Sequence, residues 1–227
     1  MTGVPEEFLA LLPVVAAFGL VGARRGWRVV RTVVTIAHEG GHVGVALLAG
    51  RRLTGMRVHS DASGITVSRG RASGPGMVAT LLAGYTAPSL LGVLAALLID
   101  AGQHQLILAL TVASLVALLV TVRNLFGVVA IVVTGAVLVY AGFYATEPVR
   151  QAGAALLAWV LLFGGVRSVG DLRRARRRTR SRDSDADQLA RLTRVPAALW
   201  VGAFGVVAVV ALVGATALLL LLLLLTT

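Results

Sequence analysis

The chain contains no cysteine and no lysine. Without cysteine there is no disulfide framework, no thiolate zinc site and no thiol redox chemistry, so any metal must be held by His, Asp or Glu. Without lysine, all 21 basic residues are arginine, a bias of composition rather than a functional choice. Charge of either sign is scarce. Only 14% of residues are charged, whereas 57% are hydrophobic and the mean hydropathy is +0.88. That balance excludes an ordinary soluble domain and points to a polytopic membrane protein. At 227 residues, the natural organisation is one membrane-embedded domain over 1–227. The net charge is +11. In such a chain an arginine excess reports orientation and anionic lipid headgroups before nucleic acid, and no nucleic-acid partner is expected.

Stretches long enough to cross a bilayer, about 17–25 residues, organise the rest. Phe8 to Ala23 forms a first, short helix carrying Pro13; Glu6 and Glu7 ahead of it lack the basic character of a signal peptide. Further stretches run over Trp27–Ala49, Met77–Ile99, His104–Val122, Phe126–Ala145 and Gly153–Gly170, and Pro196 opens a last one reaching Leu225. The expected fold is therefore all-α, with about six to seven transmembrane helices. Two segments break the pattern. Residues 53–68 alternate apolar and polar positions around Asp61-Ala62-Ser63-Gly64, the pattern of a β-hairpin. Residues 171–195 hold nine arginines and form a basic loop with some helix.

Alternating spans place fifteen arginines on the side of the hairpin and basic loop. Arg24, Arg25, Arg28, Arg31 and Arg150 fall opposite, and Arg167 lies within a span. By the positive-inside rule the first side is cytoplasmic. A multi-pass protein of the cell membrane is expected, with lipid as its surroundings and no partner subunit required.

The chemistry lies in His38-Glu39-Gly40-Gly41-His42. On a helix, histidines four apart project from one face and can share a zinc ion, with Glu39 beside them as general base towards a water. The flanks, Val29-Val30, Val33-Val34 and Val43–Ala49, are apolar. Ionisable groups deep in a bilayer cost roughly 2.5–3.5 kcal/mol each on insertion scales, so they seldom occur there without a function. Gly40 and Gly44 allow close helix approach, Pro88 marks a kink, and Trp27 and Trp200 read as interfacial anchors.

With AHEGGHVGVALLAGRRLTG, AGYTAPSLLG (83–92), RNLFG (123–127), SVGDL (168–172) and SDADQLARLT (184–193) in this order, the chain resembles the site-2 protease, or M50, zinc intramembrane metallopeptidases, closest to the compact M50B-like branch. The likeness covers roughly His38 to Leu199. It implies a zinc-dependent endopeptidase that cuts transmembrane or membrane-proximal segments of membrane-protein substrates, as in regulated intramembrane proteolysis. It also implies that the hairpin pairs with an unwound substrate as an added strand.

The better-known members take a third zinc ligand from an LDG aspartate, which is missing here. Two candidates stand in for it. Asp171 is favoured because it ends a packed helix after Gly164, Gly165 and Gly170. Asp185 is the alternative, matching the aspartate of the SDA segment in the M50B-like pattern. Asp183 and Asp187 read as partners of neighbouring arginines, and Asp61, Asp100 and Glu147 sit in turns. His59 reads as an exposed hairpin residue and His104 as a headgroup-region one. Asn124 is a candidate oxyanion donor. The competing function is a non-catalytic metal-binding transporter or scaffold, which has no use for Glu39.

Overall fold

The structure, a computed structural model, describes residues 6–59, 63–178 and 183–226, with side chains from 11 to 221 within those ranges. Asp61 and Ala62, expected in the hairpin turn, lie outside the described residues, as do Arg180 and Arg182. The elements are α1 (Glu6–Gly22), α2 (Arg24–Leu48), β1 (Arg52–Val58), β2 (Gly64–Arg69), α3 (Pro75–Asp100), α4 (His104–Leu119), α5 (Leu125–Val139), a π turn (Tyr140–Tyr144), α6 (Glu147–Arg178), α7 (Asp185–Thr193) and α8 (Ala197–Thr226). Pro75 opens α3, where its missing N–H is harmless.

Four helices are long and apolar enough to cross a membrane: Pro75–Asp100, Leu125–Tyr144, Glu147–Arg178 and Ala197–Leu221. The apolar parts of α1 (Leu11–Gly22) and α4 (His104–Leu119) are shorter. Despite its 25 residues, α2 does not join the four, because arginines crowd its first turns and the HEGGH residues its middle.

The α2–α3 pair packs antiparallel around the motif. A methyl on Gly41 would lie 2.5 Å from Ala87 Cβ and 2.7 Å from Ala83 O, and one on Gly76 would lie 3.2 Å from Ala49 Cβ. The C-terminal half of α6 packs on the N-terminal half of α3, where Leu81, Val169 and Leu172 share a buried cluster with Phe204 of α8. An apolar cleft of about 1000 Å³ lies between α2, α3 and α4. Gly40, Gly44 and Leu47 line it, and they sit on the face of α2 opposite the histidines.

The α1–α2 turn changes the expected arrangement of charge. Arg167 of α6 donates to Val21 O and, at 2.7 Å, to Gly22 O, satisfying carbonyls at the end of α1. Its guanidinium lies 5.0 Å from the centre of the Trp27 ring, and Trp27 Nε1 donates to Asp171 Oδ2 at 2.9 Å. The start of α2 is thus tied to the C-terminal half of α6, while its end packs on the start of α3. Both attachments lie at the same end of the bundle. Arg24, Arg25, Arg28 and Arg31 therefore join the other arginines instead of opposing them. Among the described residues, only Arg150 remains at the far end, 2.7 Å from Glu147.

The hairpin is an antiparallel pair running from Arg52↔Arg69 to Val58↔Gly64, with an irregularity between Leu53 and Gly55. Arg51 closes its base, donating to Ser68 Oγ at 2.9 Å and Arg71 O at 2.6 Å. From there the strands fold back along α2 to the level of Glu39, nine residues or about 13 Å of helix from Leu48. The outer edge of β1 is taken. Met56 N donates to Thr121 O at 2.8 Å, and Arg123 N donates to Met56 O at 2.9 Å. Asn124 holds both backbone groups of Val58, accepting from its N–H at 3.2 Å and donating to its carbonyl at 2.6 Å. Met56 and Val58 are fully buried in the core formed with Ile36, Leu118 and Val122.

Candidate metal centre and active site

One turn of α2 separates His38 and His42, so both imidazoles face Gly84 of α3. A methyl at Gly84 would come within 2.5 Å of His42 Cε1 and 2.7 Å of His38 Cε1, so the helices can approach this closely only around glycine. His42 Nδ1 lies 2.7 Å from Thr80 O. A carbonyl can only accept, so Nδ1 carries a proton and Nε2 is the nitrogen turned to His38 and Asp185, the usual orienting device behind a metal-binding histidine. His38 packs edge-on against Tyr85, ring centres 4.6 Å apart, and Tyr85 stacks on Phe204 at 5.2 Å.

The third corner is Asp185, the first residue of α7. His38 Nε2 and His42 Nε2 are 3.1 Å apart, and Asp185 Oδ2 is 3.4 Å from the first and 3.3 Å from the second. Tetrahedral zinc with bonds of about 2.0–2.1 Å separates its donors by roughly 3.3 Å. The triangle fits that spacing, and its two imidazoles and one carboxylate match a catalytic zinc set with a fourth position open. His38, His42 and Asp185 are the group among the described residues that could hold a metal ion. Burial raises the pKa of Asp185, but hydrogen bonds from His38 and His42 outweigh it and hold the carboxyl well below the usual range.

Glu39 is 2% exposed and projects sideways from the histidines towards the hairpin. Its Oε2 accepts from Thr66 Oγ1 of β2 at 2.5 Å, while Oε1 lies 4.0 Å from His38 Nε2. Gly64 of β2 covers the same carboxylate, and a methyl there would be 2.6 Å from Glu39 Cδ and Cγ. The hairpin thus fixes one oxygen and turns the other towards the metal corner.

The favoured third ligand, Asp171, is not gathered here. Its Oδ2 accepts from Trp27 and its Oδ1 is 2.5 Å from Arg174 Nη2, so the carboxylate fastens the α1–α2 turn to α6. The reason is continuity: α6 does not stop near Gly170 but runs on to Arg178, and Asp171 points along it. The alternative, Asp185, occupies the corner instead. Asn124 has its amide committed to Val58 and is not a free oxyanion donor. His59 lies 3.4 Å from Ser63 in the hairpin, His104 opens α4, and Glu147 pairs with Arg150; none enters the triangle. Asp187, read as an arginine partner, is one: it pairs with Arg176.

Thr66, Thr80 and Tyr85 escaped the sequence. Thr80 acts through a backbone carbonyl, which leaves no residue signal. Thr66 follows from the hairpin alternation only if the strands fold back along α2. Tyr85 lies in AGYTAPSLLG, whose order marked it without giving it a role.

Apolar helices around a two-histidine, one-carboxylate corner define a membrane protein equipped as a metallopeptidase. Residues 11–215 match the Peptidase M50B-like family model. That match spans most of the chain, and the protein belongs to this family. M50 peptidases are zinc-dependent in general. No curated protein and no solved structure matches the chain.

Proposed function

We propose that the protein is a zinc-dependent intramembrane endopeptidase, cutting transmembrane or membrane-proximal segments of other membrane proteins, as in regulated intramembrane proteolysis. The observation that carries this reading is the His38–His42–Asp185 triangle with Glu39 Oε1 4.0 Å from His38 Nε2. Zinc held there would polarise a scissile carbonyl and lower the pKa of water. Glu39 takes a water proton on Oε1 and returns it to the leaving amine, with Thr66 keeping Oε2 engaged so that one oxygen faces the chemistry. A metal carrier or scaffold has no need of a carboxylate so placed.

A helical peptide bond is shielded and must be extended before attack. With the β1 edge taken by residues 121–123, β2 is the strand left to pair with an unwound segment, and it passes directly over Glu39. Six helices cross the bilayer in this reading, namely α1, α3, α4, α5, α6 and α8, with tilt or local thinning accommodating the short α1 and α4. The arginine-rich end is cytoplasmic and carries the site. The single chain suffices.

The test is Glu39→Gln in purified protein with a membrane-protein substrate. Zinc content should stay at the wild-type level while cleavage falls by several orders of magnitude. Wild-type turnover in this variant rules the mechanism out.

A further inference from the structure

Asp185 reaches the histidines from a helix of nine residues, too short to hold itself together in isolation. Its apolar anchors are Ala186 and Leu189, both fully buried against the α3–α6–α8 cluster. A second attachment is polar. Asp187 is 5% exposed and pairs with the Arg176 guanidinium from the last turn of α6 through Oδ1. Its Oδ2 accepts from Ser184 Oγ at 2.5 Å, and Arg176 Nη1 donates to the same hydroxyl at 3.2 Å. Ser184 is also the N-cap of α7, accepting from Asp187 N at 3.4 Å. Three side chains thus tie the first turn of α7 to the end of α6, and Asp185 sits between two residues of that knot. Both oxygens of Asp187 are engaged, so it is not itself available as a ligand.

We propose that Asp187, locked by Arg176 and Ser184, is a positioning residue for the metal centre: it fixes the first turn of α7 so that Asp185 Oδ2 faces His38 and His42. This rests on Asp185 being a metal ligand. Outer partners of metal ligands typically carry about 10–100-fold in metal affinity. Arg176 makes both contacts through one nitrogen, Nη1, so the knot requires a positive donor at that point.

The experiment measures zinc affinity by chelator competition on the full-length protein in detergent, with thermal unfolding of each zinc-free form alongside. Asp187→Asn and Arg176→Gln should weaken zinc binding by about 10–100-fold while each zinc-free form still unfolds cooperatively, with only a modest fall in unfolding temperature. Arg176→Lys should recover part of the affinity. Wild-type affinity in Asp187→Asn overturns the proposal, whether or not stability falls. A joint loss of affinity and of cooperative zinc-free unfolding that Arg176→Lys does not relieve marks α7 as simply undocked and overturns it as well. Asp185→Ala is the reference. If it binds zinc normally, the ligand assignment fails; if it loses zinc while Asp187→Asn keeps it, only the positioning role fails.

Discussion

Two aspartates in one basic segment have opposite destinations. Asp171 continues a rigid helix and ends on Trp27 and Arg174, at the outer turn joining α1 and α2. Asp185 begins a new helix, packed against α3, and meets His38 and His42. Both are carboxylates beside arginines. The difference is which element delivers them, and a helix that runs on past a residue carries its side chain away from anything that requires the chain to turn.

The largest expected effect breaks this contrast outright. Asp185→Ala should lose zinc almost completely, since a site of two imidazoles and one carboxylate needs all three protein ligands. Asp171→Ala should keep its zinc and lose only about 1–3 kcal/mol of stability, the scale of a hydrogen bond to a charged group. Zinc stoichiometry and thermal unfolding on both variants separate the two outcomes, and zinc loss in Asp171→Ala contradicts the assignment.

Smaller effects sharpen the division between metal and base. Gly84→Ala forces a methyl against both imidazoles and should deplete zinc, whereas Gly64→Ala presses on Glu39 and should leave zinc bound while cleavage falls. The pair is read by metal analysis and substrate cleavage together; equal zinc in both breaks the geometry. Thr66→Val removes the donor to Glu39 Oε2 at nearly constant volume. A cleavage loss on the order of tenfold, with zinc intact and recovered in Thr66→Ser, is expected from one hydrogen bond to a charged group.

The arrangement of ends changes no activity and is read by labelling. In a chain without cysteine, Arg25→Cys and Thr54→Cys should react with an impermeant thiol reagent from the same side, and Gln103→Cys from the other. Opposite labelling of the first two restores α2 as a crossing helix.

The corner of His38, Glu39 and His42 was legible because it is local: HEGGH places two imidazoles and a carboxylate through the pitch of one helix. The hairpin was legible from its alternation to within a residue of its observed span of 52–69, since period two needs no tertiary knowledge. Charge placement was not, because alternation assumes that every apolar stretch crosses. In α2, the bonds from Arg167 to the α1 end and from Trp27 to Asp171 tie the start of the helix to the C-terminal half of α6, which itself packs on the start of α3. The third corner of the triangle was half legible. The SDA segment pointed to Asp185, but only the knot of Ser184, Asp187 and Arg176 explains why that turn docks.

The identity of the third ligand can be read directly at the metal. The native chain offers no thiolate, so a cysteine placed at a ligand position gives zinc its only protein sulfur neighbour of that kind. X-ray absorption on zinc-loaded Asp185→Cys should show a new sulfur shell at about 2.3 Å beside the imidazole shell at about 2.0–2.1 Å. Asp171→Cys should show no sulfur. A sulfur shell in Asp171→Cys, or its absence from zinc-loaded Asp185→Cys, contradicts the account.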